Sequence, residues 1–108
     1  MWFRSYERIK IKKSISKLKN CFPVISDIKE NGVQSALSGV LKNIGYVDVL
    51  INNAGTAGSG VHFTETSADE VLSLLNVHCL GAIRVTQAVM PYLSENGVII
   101  NISHLYED

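Results

Sequence analysis

Short apolar runs alternate along the chain with stretches in which apolar residues recur every three or four positions. Val33, Ala36, Leu37, Val40, Leu41 and Ile44 form one helical stripe. Gly45 follows directly and can take the positive φ that ends a helix. Val47-Asp48-Val49-Leu50-Ile51 is apolar except for Asp48, which suits a strand covered on both faces. Ser67-Ala68-Asp69-Glu70 has the form of a capping box and opens a helix expected over 68–93. Val71, Leu74, Leu75, Ala82, Val85 and Val89 lie on one side of that helix, and Leu72, Cys79, Ile83 and Met90 widen the apolar face. Pro91 should kink or end it. Asn96-Gly97 is a turn signal, and Val98-Ile99-Ile100-Asn101-Ile102 lies in a strand expected over 97–103. Ahead of these, Phe22 to Asp27 reads as a short strand over 22–27, with Pro23 favouring its start or a sheet edge. Residues 4–19 can form a helix that stops at Asn20.

The resulting order, helix and strand in alternation, predicts an α/β chain with a parallel sheet. A length of 108 residues fits a single domain over 1–108. In such sheets ligands bind outside the carboxyl ends of the strands. Asp27, Asn52 to Gly55, and Ser103-His104 all stand at such ends.

Charge adds an asymmetry. The formal net charge is zero. Yet residues 1–20 carry seven basic residues against Glu7, about +6, and the remainder carries three basic against nine acidic, about −6. The head therefore reads as a basic N-terminal helix or arm over 1–20, with a solvated helix face as the bland explanation. Its Ser content and few acids also permit a mitochondrial presequence, against an expected cytoplasmic location. Cys21 and Cys79 lie far apart, and His62, His78 and His104 are scattered, so no metal site is expected. No uninterrupted apolar run approaches the ~18 residues of a bilayer span. Neither a membrane nor a nucleic-acid partner is expected.

The motifs carry more than the composition. VDVLINNAG, residues 47–55, resembles the strand and Asn-Asn-Ala-Gly motif of the short-chain dehydrogenase/reductase family. Asn76, within LLNVHCLGAIRVTQAVMPYL, is similar in placement to the Asn of that family's long helix. GVIINIS, residues 97–103, resembles the strand leading to its catalytic Ser. The resemblance covers about residues 21–104 and implies a partial Rossmann-like sheet with strands over 22–27, 47–52 and 97–103 and flanking helices. It implies NAD or NADP as cofactor and a small carbonyl or alcohol substrate in full-length relatives. Asp27 with Ile28 would meet the adenine, although an acid there also suits a helix N-terminus. Asn53, Ala54 and Gly55 would lie along the adenosine ribose, small residues letting the backbone approach; Asn52 and Asn53 could equally tie strands together. Arg4-Ser5 would match a site favouring the 2′-phosphate of NADP. Asn76 would hold a water of the proton relay through its carbonyl. His78, two residues on, reads as packed and hydrogen-bonded. Ser103 or His104 would fill the catalytic Ser position, His104 if the two residues align in register and Ser103 if they shift by one.

The sequence also departs from that family. The glycine-rich turn that cradles a pyrophosphate at a helix N-terminus is absent from residues 1–108. Gly55, Gly58 and Gly60 follow the Asn-Asn-Ala-Gly motif instead of a first strand. Tyr6 and Lys10 spell Tyr-x-x-x-Lys, but ahead of the nucleotide motif rather than after it. The sheet order 3-2-1-4-5-6 would leave strand 22–27 separated from the other two. The expectation is therefore a fragment of an NAD(P)-dependent oxidoreductase, inactive alone. The alternative is a non-catalytic interaction module, with homo- or hetero-oligomer contacts through helix 68–93, or a truncated isoform or pseudogene product.

Overall fold

The computed structural model describes residues 14, 17–24, 26–29 and 32–103. The helix or arm expected over 1–20, with Arg4, Ser5, Tyr6 and Lys10, lies almost wholly outside the described residues, as does His104. The first helix whose bounds fall among the described residues, α1, runs Val33–Ile44, where the stripe placed it. Val33 and Leu41 are its buried residues. It ends as expected on Gly45, at φ 83°, whose N–H donates to the Leu41 carbonyl at 2.8 Å. Strand β1 follows at Val47–Asn52.

The next helix begins at Ser67, whose hydroxyl accepts from the Glu70 N–H at 3.1 Å. Only half of the capping box forms, because the Glu70 carboxylate leaves the helix end and binds Ser59 instead. The single helix expected over 68–93 is continuous from Ala68 to Tyr92 but changes pitch. It consists of α2 (Ala68–Leu75), a π-helical turn (Asn76–Gly81), α3 (Ala82–Val89) and a 3₁₀ turn (Met90–Tyr92) that contains Pro91. The π-turn buries Val77 and Gly81. This helix of 25 residues, with an 18-residue window of mean hydropathy 1.2, has the length and composition to cross a bilayer, which its broken apolar runs conceal. The core helix of a water-soluble protein passes the same test but is mostly buried, and here 17% of the window is buried.

Strand β2 covers Leu93–Asn101 and pairs with β1 in parallel, Leu50 opposite Ile99 and Asn52 opposite Asn101. The helix Ala68–Tyr92 is the crossover that a parallel pair requires. Val47 opposes Leu93 but Val49 opposes Val98, so two steps on β1 match five on β2. The Asn96-Gly97 turn signal thus appears as a bulge, and a Cβ at Gly97 would meet Leu93 Cγ at 2.6 Å. The Ser94 hydroxyl bonds the Asp48 carboxylate at 3.0 Å, which accounts for the one charge in β1.

The strand expected over 22–27 is corrected by the structure: residues 22–24 and 26–27 are in no strand, and the described sheet has two strands. Three causes act together. Pro23 has no N–H to give a ladder. The Asp27 carboxylate captures the Lys29 N–H at 3.0 Å and turns the chain. Lacking a paired neighbour, the segment drops onto the helix, with Ile28 packed on Gly81. Helix α3 packs against both α1 and β1, and Asn52 and Asn101 share the face of the sheet that meets α3 through Thr86. Val49, Ile51, Val98 and Ile100 project from the opposite face and are 40–58% exposed.

Candidate nucleotide crevice

The carboxyl ends of β1 and β2 frame a cavity of about 170 Å³, lined by Ile28, Asn53, Ala54, Gly81, Val85 and Ile102 among others. Its floor depends on Asn52. The Asn52 amide donates to Thr86 Oγ1 at 3.1 Å and to Asn101 Oδ1 at 2.9 Å, and its carbonyl accepts from the Ile102 N–H at 2.9 Å. Asn52 therefore ties β1 to α3 and to β2, so the strand-tying role belongs to the first Asn of the motif. Asn53 and Ala54 stay exposed on the cavity wall.

Gly55 starts the loop that leaves the site. A Cβ there would stand 2.7 Å from Cε1 of His78, so any larger residue would push the imidazole aside. His78 Nε2 lies 2.8 Å from the Thr56 carbonyl and 3.3 Å from the Thr56 N–H. Farther along the loop the Glu70 carboxylate accepts from the Ser59 N–H at 2.6 Å and from the Ser59 hydroxyl at 3.0 Å. These bonds, the backbone one first and the hydroxyl one second, hold the Glu70 carboxyl below its ordinary value of 4.5.

On the other wall Ile28 approaches Gly81 so closely that a Cβ on Gly81 would lie 2.7 Å from Ile28 Cδ1. Arg84 fastens this contact. Its Nη1 donates to the Ile28 carbonyl at 3.1 Å and to Asn76 Oδ1 at 2.8 Å, and it lies 3.4 Å from the Asn76 carbonyl. Asn76 opens the π-turn, an irregularity that often marks functional positions. The Asn76 side chain is therefore held by a cation eight residues on.

The structure brings Ile28, Asn53 and Ala54 to one cavity and places Asp27 and Gly55 beside cavity residues in the chain. Asn76 reaches the same wall only through Arg84 and Ile28. Ser103 is exposed and follows β2 closely, next in the chain to the cavity residue Ile102. Among the described residues no group of three or more His, Cys, Asp and Glu side chains could hold a metal ion, and Cys21 and Cys79 are free and exposed. Arg84, Thr86 and the Glu70–Ser59 pair escaped sequence reasoning. An Arg on a helix and a Ser in a loop read as surface residues until their partners are known.

A parallel α/β crevice of this kind is shared by many proteins, and the family match decides between them. A family model described as short chain dehydrogenase matches residues 4–106. The chain belongs to the short-chain dehydrogenase family. It is 33% identical over 87 residues to dehydrogenase/reductase SDR family member 7B of Mus musculus, covering 78% of this chain and 27% of that protein. The crystal structure of a short-chain dehydrogenase from Streptomyces avermitilis superposes with a TM-score of 0.73 at 32% identity, over 86% of this chain and 35% of that one. The alcohol dehydrogenase of Thermococcus sibiricus complexed with 5-hydroxy-NADP superposes with a TM-score of 0.73 at 27% identity, over 91% of this chain and 43% of that one. The chain thus spans well under half the length of these short-chain dehydrogenases. The α/β, partial Rossmann-like class holds, with two of its three expected strands present among the described residues.

Asn53 and Ala54 offer a small-residue wall at the strand ends, as an adenosine ribose would need. Residues 1–108 contain no glycine-rich turn for the pyrophosphate.

Proposed function

We propose that this chain is a fragment of an NAD(P)-dependent oxidoreductase acting on a carbonyl or alcohol, and that it contributes the adenosine side of the cofactor site. The observation that carries this reading is the crevice wall of Asn53 and Ala54 at the carboxyl end of β1, with Ile28 packed across from them, in a chain of the short-chain dehydrogenase family. The alcohol dehydrogenase of Thermococcus sibiricus, complexed with a nicotinamide nucleotide, supports it. When bound, the cofactor would supply or accept the hydride. Asp27, Ile28, Asn53, Ala54 and Gly55 would hold and orient its adenosine half. Asn76 and Ser103, or His104, belong to the proposed substrate side. The Asn76 carbonyl is available to a water only beside the Arg84 guanidinium, so its relay role is weakened here. Residues 1–108 hold no glycine-rich turn to cradle the pyrophosphate, so weak nucleotide binding is expected of them. A cytoplasmic location and the absence of nucleic-acid and membrane partners complete the proposal.

The test is an NMR titration of the purified chain with NADH and NADPH to millimolar concentration, with circular dichroism confirming the fold. Shifts confined to Asp27–Ile28 and Asn53–Thr56 are expected. Shifts elsewhere, or none, overturn the reading, and micromolar binding overturns the view that the glycine-rich turn is needed. A second reading, a non-catalytic interaction module, is favoured by one observation. Leu72, Leu75, Leu80, Ile83 and Met90 on the helix Ala68–Tyr92 are 46–63% exposed. Light scattering that finds a concentration-dependent dimer, lost in Leu72→Glu, would support it.

A further inference from the structure

The loop from Asn53 to His62 contains no helix or strand, and two side chains of the neighbouring helix hold it. Thr56 is joined to His78, and Ser59 to Glu70. Three residues separate the loop positions and eight the helix positions. Three extended residues reach roughly 10 Å, and eight helical residues rise about 12 Å. The loop therefore runs back along the helix, antiparallel to it and pinned at both ends. Each pin faces a glycine. A Cβ on Gly55 would meet His78 Cε1 at 2.7 Å, and one on Gly58 would meet Glu70 Oε1 at 3.0 Å.

From this geometry we propose that His78 is a positioning residue that sets the height of the Gly55–Thr56 backbone beside the nucleotide crevice, with Glu70 anchoring the far end of the same loop. The nucleotide part of this inference rests on the proposed function. His78 itself lines the cavity with Asn53 and Ala54, and Gly55 and Thr56 follow these two directly in the chain, so the clasp ties the loop to the cavity wall. Nε2 cannot donate to the Thr56 carbonyl and accept from the Thr56 N–H at once. The shorter distance, 2.8 Å, selects donation to the carbonyl. Both the neutral Nε2–H tautomer and the imidazolium carry that proton, so the clasp works in either charge state. A Gln side chain reaches as far and ends in the same kind of donor, whereas Ala removes it.

The experiment combines hydrogen exchange with nucleotide titration on the full chain, using H78A, H78Q, G55A and the G55A/H78A pair. H78A is expected to speed exchange at Thr56–Ser59 roughly tenfold with the amides of β1 and α1 unchanged, and H78Q to restore it. G55A is expected to loosen the loop in the parent, where Cβ meets the imidazole, and to add nothing in H78A. NADH-induced shifts at Asn53–Thr56 should weaken about tenfold in H78A and recover in H78Q. Unchanged exchange in H78A, or additive effects of the two substitutions, would overturn the clasp. A loosened loop with unchanged NADH shifts would overturn the positioning role. A parent chain that shows the clasp by exchange but no NADH shifts would overturn the nucleotide role through the failure of the proposed function.

Discussion

Arg84 shows how much of this fold depends on single side chains. Its guanidinium joins the Ile28 carbonyl to Asn76, and so joins the segment before α1 to the π-turn. Replacing it with Met keeps the aliphatic stem and strips both acceptors of their partner. Bonds to a charged group contribute about 1.5–3 kcal/mol, so urea denaturation of Arg84→Met should show a loss in that range. Gly81→Ala tests the adjoining contact. Its Cβ would press into Ile28 at 2.7 Å, and overpacking of this kind costs about 1–3 kcal/mol. Shortening the partner, in Gly81→Ala with Ile28→Ala, should return part of the loss, a non-additivity that a double-mutant cycle measures. At this scale the sequence was informative about motifs and silent about partners. Asn76 and the Asn-Asn-Ala-Gly run are legible through their resemblance to family motifs in helix and strand context. Nothing local to Arg84 distinguishes it from a solvated surface cation, because its acceptors are eight and fifty-six residues away.

At the scale of elements the helices were legible and their irregularities were not. The stripe from Val33 to Ile44 and the terminal Gly45 gave α1 its observed limits, since periodicity and φ preference are local properties. The helix from Ser67 was also found, but its π-turn was not. A wide turn rotates the stripe that follows it, and in the sequence this shows only as a broader apolar face, with Leu72, Cys79, Ile83 and Met90 added. Ser67→Ala should cost about 1 kcal/mol of stability, measured by thermal denaturation, because the Glu70 N–H loses its acceptor. Glu70 gives a pH prediction. Its carboxyl is held below 4.5 by the Ser59 N–H first and the Ser59 hydroxyl second. A depressed folded value means that the Glu70–Ser59 bond contributes fully above 4.5 and is lost as pH falls through the lowered value. The Ser59 amide shift should therefore titrate with a midpoint under 4.5, and Ser59→Ala should move the Glu70 midpoint upward, as followed by NMR. The missed strand at 22–27 has a different cause. Its apolar pattern suits a strand, but pairing is non-local, and among the described residues no neighbour stands beside it.

For the whole molecule, the unequal covering of the two sheet faces sets the energetics. Leu41 is buried at 6% exposure, whereas Ile51 is 58% exposed. Leu41→Ala should cost about 2–5 kcal/mol. Ile51→Thr should change stability by less than about 1 kcal/mol, because a side chain left in water has little burial to lose. Paired urea curves on the two variants check this contrast, and equal losses would mean that the open face is covered in solution.

That open face has a consequence for the lifetime of the chain. Val98 to Ile102 and Val49 to Ile51 are uncharged, proline-free and rich in β-branched residues, the composition of segments that stack into fibrils. Self-stacking through this face would rise steeply with the concentration of the chain, so a lifetime set by stacking would shorten with abundance. Pulse-chase turnover measured at two expression levels should show the half-life falling as expression rises.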